Sequence, residues 1–482
     1  MRKELAEYGL ELASKLGASY ADVRFVDGER RTISVKNGKP DSLSQTSEKG
    51  FGVRVIKDNG WGFAGAYVIS KEEVKEAVET AVKLGMASAT AARRKIVLAP
   101  VKVVEDRYET PVKIDPMSIP LEEDMQLLIE ADKAYRENAP HVRSTTGRIF
   151  SRVEDKYLAT SEGSRIEQKI VHCGASGQGV VSESGVVQRR SWELDPQTRG
   201  YEYLKEFDIP ALARKAGVEA EQLLNADPCP TEIRSDIILD DAHMHLQIHE
   251  TIGHATELDR VLGTEADYAG MSFLKTPMLN DFTYGSEGVN FIADPTIPGG
   301  LGTYGYDDEG VPGHKVYLVK DGEFVGYQSS RETAAQLGLE DGSSAGMRAS
   351  APANLPLVRM NNICLEPGDW KAAEIIEDTK DAYLMRTSKM WSVDQRRLNF
   401  QFATEIGWHI KNGEIAEVIR DPTYTGISYD FWRGMDATAK DDWKLYGTTG
   451  CAKGRPIQGI YVGHGAATTR IRNVRIGITG AM

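Results

Sequence analysis

Four of the nine histidines of this 482-residue chain crowd into twelve positions, and this cluster restricts the possible folds more than any other feature. The cluster consists of His243, His245, His249 and His254, and Glu250 directly follows His249. Two neutral imidazoles can hold a zinc ion while an adjacent carboxylate accepts a proton from water, so this composition is typical of a zinc hydrolase. The fold must therefore bring these side chains together on one local element.

The spacing within the cluster does not suit a regular α-helix. His249 and His254 are five residues apart, which places them about 140° apart around the axis of an α-helix. A single π-turn would return residues five apart to one face of the helix, and Gly253 makes such a distortion easier. The sequence therefore predicts a π-turn or an early helix break between His249 and His254.

A different pair of histidines is an open alternative. His245 and His249 are four residues apart and would face the same way on a regular helix, with Glu250 beside them. In that arrangement Glu250 lies on the C-terminal side of the second ligand, unlike the usual His-Glu order. A third possibility is that these histidines are ordinary core or surface residues that bind no metal.

Two histidines need a third ligand for zinc, and the four cysteines of the chain are candidates. Cys173 and Cys364 lie in apolar, strand-like runs where a role in the core suffices, and Cys229 lies between two prolines. Cys451 differs because it follows Gly450 in a glycine-rich, turn-like stretch. The cysteines are far apart and form no C-x-x-C pair, so a disulfide scaffold is not expected. Spacing alone leaves the role of Cys451 open.

Hydrophobic periodicity predicts helices and strands in the first half of the chain. Helices are predicted over about residues 121–138 and 209–225, and Ser70 is predicted to cap a further helix. Asn37-Gly38 lies between alternating apolar runs and indicates a hairpin turn. This part of the chain therefore mixes strands with helices.

A proline-rich boundary separates this part from the rest of the chain. Pro228 and Pro230 cannot continue a helix, and beyond them one helical stretch of about residues 241–258 is followed by turns and short strands. The predicted fold is α+β with two domains. Residues 1–228 would form a mixed sheet with flanking helices, and residues 229–482 a β-rich domain that carries the metal-binding helix.

Charge and hydropathy exclude several classes of protein. The chain has 58 Lys+Arg against 71 Asp+Glu and a net charge of −13, so the phosphate backbone of a nucleic acid would repel it. No stretch approaches about 18 uncharged apolar residues, so no membrane span is expected. The charged N-terminus lacks the apolar block of a secretory signal, and we expect a cytoplasmic location.

Two further motifs are weaker. Gly300–Gly305 satisfies G-x-G-x-x-G, but no strand precedes it and no helix can follow it, so no nucleotide cofactor is predicted. The acidic run Asp307-Asp308-Glu309 could bind a metal or a peptide amine. Such a run is more often a solvated loop, and that is the expectation here.

Several segments in a fixed order resemble a known family. The stretch from His249 to His254 reads H-E-x-x-x-H. The other matching segments are Gly50–Val55, Thr160–Gly163, Asp307–Pro312, Arg359–Asn362 and Gly450–Gly454. Taken together they resemble the TldD half of the TldD/PmbA (TldE) family of metallopeptidases.

This resemblance implies a function and a set of site residues. It implies a zinc metallopeptidase, similar to the catalytic TldD-like subunit, that cleaves small or unfolded peptides. The implied zinc ligands are His249, His254 and Cys451, with Glu250 as the general base. The resemblance also implies a dimer, formed either with a TldE/PmbA-like paralogue or with a second copy of the chain.

Other functions remain compatible with the sequence. The chain could be a non-enzymatic regulatory or interaction protein, or a zinc amidohydrolase that acts on non-peptide amides. The sequence assigns no role to His243, His245 or His464, and it does not identify the group that stabilises the oxyanion.

Overall fold

The computed structural model describes residues 1–268 and 270–477. The first seven strands of the chain form one sheet. The strands are β1 (Tyr20–Lys36), β2 (Lys39–Lys57), β3 (Gly60–Ala66), β4 (Glu105–Glu109), β5 (Val142–Thr160), β6 (Arg165–Glu183) and β7 (Val186–Gln197). Their order is β3-β2-β1-β5-β6-β4, and β7 also pairs with β6. The four central strands run for 17 to 19 residues each, so the sheet is long enough to carry two separate cores.

Helices pack against this sheet and form two hydrophobic cores with it. They are α1 (Arg2–Lys15), α2 (Lys71–Ala89), α3 (Leu121–Glu137), α4 (Glu202–Lys205) and α5 (Ile209–Asn225), with a 3₁₀ turn at Pro116–Ser118. One core packs α1 and α2 against β1 and β2, and the other packs α3 and α5 against β5 to β7. The predicted helices are confirmed, and so is the cap, because the Ser70 side chain accepts a hydrogen bond from the Glu73 amide. Asn37 and Gly38 form the predicted turn, with positive φ angles of 53° and 71°.

The second half of the chain contains most of the short strands. They are β8 (Asp227–Pro228), β9 (Ile233–Leu239), β10 (Phe291–Ala293), β11 (Val316–Lys320), β12 (Glu323–Phe324), β13 (Met347–Arg348), β14 (Leu357–Val358), β15 (Asn362–Leu365), β16 (Asp381–Val393), β17 (Asn399–Lys411), β18 (Glu414–Arg420), β19 (Thr423–Ile427), β20 (Met435–Thr438), β21 (Lys444–Lys453), β22 (Gln458–Ala466) and β23 (Thr469–Ile476). The helices are α6 (Asp241–Ile248), a π-turn (His249–Gly253), α7 (Leu258–Val261), α8 (Arg331–Leu337), α9 (Ala372–Glu377) and α10 (Ser428–Arg433), with a 3₁₀ turn at Thr276–Met278. The α+β fold class is confirmed.

Two large sheets organise this half. One has six strands in the order β12-β11-β10-β15-β22-β21. In the other, β16 pairs with β9, β9 with β23, β23 with β19, β19 with β17, and β17 with β16, so these five strands close a ring. The remaining strands β8, β18 and β20 extend the ring.

Helix α6 lies in the core that these two sheets share. Met244 and Ile248 of α6 belong to the same buried cluster as Ile237 of β9 and Phe402 of β17 from the ring, and Phe291 of β10 from the six-stranded sheet. Apolar side chains therefore hold the helix on both sides. The segment that follows it is rigidly placed within the β-rich half.

The acidic run after β10 is buried, so the expectation of a solvated loop is wrong. Asp308 is 2% exposed, and its carboxylate pairs with Arg24 of β1 at 2.7 Å and with Lys156 of β5 at 2.5 Å. Glu309 pairs with Arg54 of β2 at 3.0 Å. These ion pairs between the acidic run and basic residues of β1, β2 and β5 join the long-stranded sheet to the β-rich half.

No helix within the described residues has the length and apolarity needed to cross a bilayer.

Candidate metal centre

The histidine cluster begins on a capped helix and ends on a widened turn. The Asp240 carboxylate caps α6 by accepting a hydrogen bond from the His243 amide at 3.1 Å. Beyond Ile248 the helix changes to a π-turn, and the His254 amide donates to the His249 carbonyl oxygen at 3.1 Å. This bond spans five residues, so the predicted π-turn is confirmed.

Neighbouring side chains stabilise the widened turn. The carbonyl oxygen of Thr251 accepts a hydrogen bond from the Tyr284 hydroxyl at 2.5 Å, and that of Gly253 accepts one from the Gln328 amide at 2.6 Å. The Trp432 indole donates to the Thr251 hydroxyl at 2.9 Å. These carbonyl oxygens, which would accept main-chain hydrogen bonds in a regular α-helix, thus accept hydrogen bonds from side chains in the core.

Three potential ligands converge at this turn. One donor atom each of His249, His254 and Cys451 lie within 4.8 Å of one another, and all three residues are buried. The distance from the Cys451 Sγ to the His254 Nε2 is 3.6 Å. A tetrahedral zinc ion with usual bond lengths would hold such a sulfur and nitrogen about 3.5 Å apart, so the donor set fits the metal that the sequence predicts.

A hydrogen bond to His464 determines which nitrogen of His249 can bind a metal. His249 Nδ1 lies 2.8 Å from His464 Nε2, and His464 Nδ1 lies 3.3 Å from the carbonyl oxygen of Ile363. Because a carbonyl only accepts, His464 carries its proton on Nδ1 and its Nε2 accepts from His249. The lone pair of His249 is therefore on Nε2.

His254 is oriented in the same way by a carboxylate. Its Nδ1 lies 3.0 Å from Glu257 Oε2. Arg260 donates to the same oxygen at 3.0 Å, and Lys453 lies 3.3 Å from Glu257 Oε1. Burial raises the pKa of Glu257, but Lys453 and Arg260 outweigh this and hold the pKa well below its usual range. The ionised Glu257 keeps the proton of His254 on Nδ1 and leaves Nε2 facing Cys451.

The protonation of the three donors suits metal binding. Burial lowers the pKa of His249 and of His254, which favours the neutral imidazoles that bind metals. Burial raises the pKa of the Cys451 thiol, but its pairing with His254, which can take up the thiol proton, and the charge of Arg359 outweigh burial and bring the pKa down to about 7. A thiolate is therefore readily available.

Glu250 lies beside this cluster and faces a cation. Its carboxylate accepts a hydrogen bond from Arg397 Nη1 at 2.7 Å. The side chain of Glu250 is 7% exposed and that of Arg397 is 19% exposed. Arg397 belongs to the loop between β16 and β17, so the ring of strands brings this cation to the histidine-bearing turn.

The chain is similar to known proteins along most of its length. Three domain models of one family match the chain: PmbA/TldA metallopeptidase domain 1 over residues 21–85, the central domain over 114–224 and the C-terminal domain over 232–477. The chain is 33% identical to a metalloprotease of Methanocaldococcus jannaschii, over 94% of this chain and 95% of that protein. The chain belongs to the PmbA/TldD metallopeptidase family.

Other members of the PmbA/TldD family are more distant. A zinc metalloprotease TldD homolog of Saccharolobus solfataricus is 25% identical over 97% of this chain and 98% of its own length. The crystal structure of TldE from Thermococcus kodakarensis is similar in fold, with a TM-score of 0.78, 18% sequence identity and 99% coverage of both chains. The fold described above is thus shared with this TldE.

Two other histidines of the cluster lie elsewhere in this PmbA/TldD chain. The His245 ring stacks on Tyr446, with 4.9 Å between the ring centroids. His243 lies 2.9 Å from the Ser388 hydroxyl and 2.8 Å from that of Tyr424. Neither belongs to the group of three donor atoms that the described residues bring together.

Sequence reasoning missed the residues that support the donors. Glu257 follows His254 by three residues on the same chain segment, so its spacing was a signal that could have been used. His464 and Arg397 reach the site from β22 and from the β16–β17 loop, and no local pattern marks either of them.

Proposed function

We propose that this chain is a zinc-dependent peptidase that cleaves small or unfolded peptides. The observation that carries the proposal is the buried group of His249, His254 and Cys451 donors, with Glu250 beside it. A distant relative whose name includes zinc supports this choice of metal. His249 Nε2, His254 Nε2 and Cys451 Sγ would hold the ion, and a three-ligand set is typical of catalytic rather than structural zinc.

Bound zinc would supply Lewis-acid chemistry that lowers the pKa of water and polarises a peptide carbonyl. The protein's own residues carry out the proton transfers. Glu250 acts as the general base, because it directly follows the ligand His249 in the chain and its carboxylate is held in place by Arg397. It accepts a proton from the attacking water and then gives it to the leaving amine.

Strand β21 offers a way to hold an extended peptide. It is the last strand of the six-stranded sheet and carries Cys451. The Gly447 amide at its outer edge already donates to Asp195, so a peptide would pair further along the strand, at the exposed residues Thr449 and Gly450. An extended peptide that pairs with an exposed strand edge is recognised mainly through its backbone. We therefore expect broad specificity for unfolded peptides and little cleavage of compact domains.

The deciding experiment is the Glu250→Gln substitution. We expect this variant to keep about one zinc per chain and to lose about 10²–10⁴-fold in peptidase activity, because the amide cannot accept a proton. Metal analysis after dialysis and hydrolysis of a casein-like unfolded substrate measure the two properties. Activity close to that of the parent protein would exclude Glu250 as the base.

Cys451→Ser is the contrasting variant, for which we expect weakened zinc retention together with lost activity. If the parent protein binds no metal and chelators leave its activity unchanged, the non-enzymatic alternative is favoured. Cleavage of simple amides without cleavage of peptides would favour an amidohydrolase.

We also propose an assembly and a domain division. The dimer would contain either a TldE/PmbA-like paralogue or a second copy of this chain, and the fold shared with a TldE supports the first choice. The proposed domains remain residues 1–228 and 229–482. Light scattering of the chain alone and after mixing with a paralogue distinguishes the two dimers.

A further inference from the structure

A cleft opens beside the candidate metal centre. It has a volume of 310 Å³, and its lining includes Arg397, Ala452, Val393 and Asp394. Ala452 directly follows Cys451, and Arg397 contacts Glu250. The side chain of Arg397 is 19% exposed, whereas Glu250 is 7% exposed. A substrate that approaches Glu250 through this cleft therefore meets the Arg397 guanidinium.

The backbone at Arg397 is held in an uncommon conformation. Its φ angle is +61°, in the left-handed region that side-chain-bearing residues rarely adopt. Such positions persist only where the surroundings enforce them, and they concentrate at functional sites. The conformation is thus a reason to look for a role of this side chain.

The surrounding loop enforces this conformation. The Asp394 carboxylate accepts hydrogen bonds from the amides of Arg396 at 3.0 Å and Leu398 at 2.9 Å. The Ser428 hydroxyl donates to the Arg397 carbonyl oxygen at 2.8 Å. The Phe273 amide donates to the Arg396 carbonyl oxygen at 2.7 Å. The loop holds the guanidinium against Glu250 before any substrate arrives.

Peptide hydrolysis creates a negative charge on the substrate that a nearby cation can stabilise. When the water oxygen bonds to the carbonyl carbon, one electron pair of the C=O bond moves to its oxygen and a proton of the water moves to Glu250. The carboxylate that Arg397 faces thereby becomes neutral while a negative charge forms on the substrate oxygen. When the C=O bond re-forms, the C–N bond breaks and Glu250 returns its proton to the amine.

We infer that Arg397 binds the carbonyl oxygen of the scissile peptide bond and stabilises the negative charge that develops on it. The inference rests on the proposed function, since it names the oxyanion-binding group of that same site. A fixed cation in a partly buried cleft is well suited to this role, because it needs no reorganisation when the charge appears.

The test compares Arg397→Met with Arg396→Met, which removes the same charge from the exposed neighbouring residue. For Arg397→Met we expect kcat/KM on an unfolded peptide to fall by about 10²–10³-fold, as for loss of one oxyanion donor. The Kd of a phosphinic peptide, which mimics the tetrahedral oxyanion, should rise by a similar factor in calorimetry. Zinc content should stay at the parental value. Arg396→Met should change neither constant by more than about twofold.

Arg397→Lys keeps the inference testable if Arg397→Met does not fold. It retains the charge without the planar fork, so we expect a smaller loss in both kcat/KM and phosphinic-peptide affinity. Parental affinity of Arg397→Met for the phosphinic peptide, or equal losses in Arg396→Met, would overturn the inference alone. If the parent protein neither cleaves peptides nor binds the phosphinic peptide, the proposed function itself is wrong.

Discussion

At the scale of single residues, each of the two histidine donors of the candidate centre depends on a hydrogen bond made by its other ring nitrogen. His464 accepts a hydrogen bond from His249, and the ionised Glu257 accepts one from His254. The two supports differ in charge, because one is a neutral imidazole linked to a main-chain carbonyl and the other is a carboxylate. Such partners orient metal-binding histidines and fix their tautomers.

His464→Leu tests this support for His249. Loss of the acceptor should raise the Kd for zinc by about 10–100-fold, since the tautomer of His249 is no longer fixed. His464→Gln offers both an acceptor and a donor, and it should recover part of the affinity. Competition with a chromophoric chelator measures each Kd without reference to catalysis.

His243→Leu is the matched control, because His243 is also fully buried but bonds to Ser388 and Tyr424. If it weakens zinc binding as much as His464→Leu does, the effect is general destabilisation of the core and not the loss of a specific acceptor.

At the scale of elements, the π-turn is the part of the site that the sequence predicts best. The five-residue spacing of His249 and His254 calls for a π-turn or a helix break, and Gly253 has room only for hydrogen at its α-carbon. A Cβ there would lie 2.3 Å from the Met360 Sδ. The contact with Met360 could not be predicted, because it depends on how the π-turn packs against the segment between β14 and β15.

Gly253→Ala should therefore destabilise the protein by about 1–3 kcal/mol through overpacking. Gly459→Ala is the control, since an added Cβ there meets no atom within 4 Å. The double variant Gly253→Ala/Met360→Ala should be more stable than the sum of the single effects predicts, because the new methyl enters the space that methionine leaves. Thermal unfolding of the parent, Gly253→Ala, Met360→Ala and the double variant measures the coupling. Strictly additive effects would contradict the steric explanation.

At the scale of the whole molecule, the acidic run 307–309 joins the two halves of the chain. Its partners Arg24, Arg54 and Lys156 lie on strands at least 150 residues earlier in the sequence. The sequence shows the acidic triplet and the basic residues but not their pairing, because long-range contacts follow from topology. The same limit applies to His464, Arg397 and Cys451, whereas the α+β class and the boundaries of α3 and α5 follow from local periodicity. The predicted helical stretch 241–258 ends earlier, at Gly253.

The ion pairs of Asp308 should make stability depend on pH. Burial raises the pKa of Asp308, but Arg24 and Lys156 outweigh it and lower the pKa to about 2. A carboxyl with a depressed folded-state pKa stabilises the protein above its unfolded pKa of about 3.9, and this stabilisation is lost as the pH falls through the folded value. Asp308→Asn should thus be less stable than the parent by about 2 kcal/mol at pH 7.

Denaturant titrations between pH 7 and pH 2.5 measure this difference, which should shrink as the pH falls from about 4 towards about 2, because the unfolded parent chain takes up a proton on this carboxyl before the folded protein does. Asp341→Asn, at an exposed carboxylate, is the control and should stay close to the parent at every pH. A gap between Asp308→Asn and the parent that does not change with pH would show that packing, and not charge, holds the two halves together.

The wide separation of the donors along the chain has a consequence for biosynthesis. Cys451 follows His254 by 197 residues, so a nascent chain on the ribosome exposes both imidazoles long before the thiol has been translated. A chelate of all three atoms can form only after β21 has docked. Metal loading would then be one of the last steps of folding, and a product terminated before Cys451 would lack the third donor.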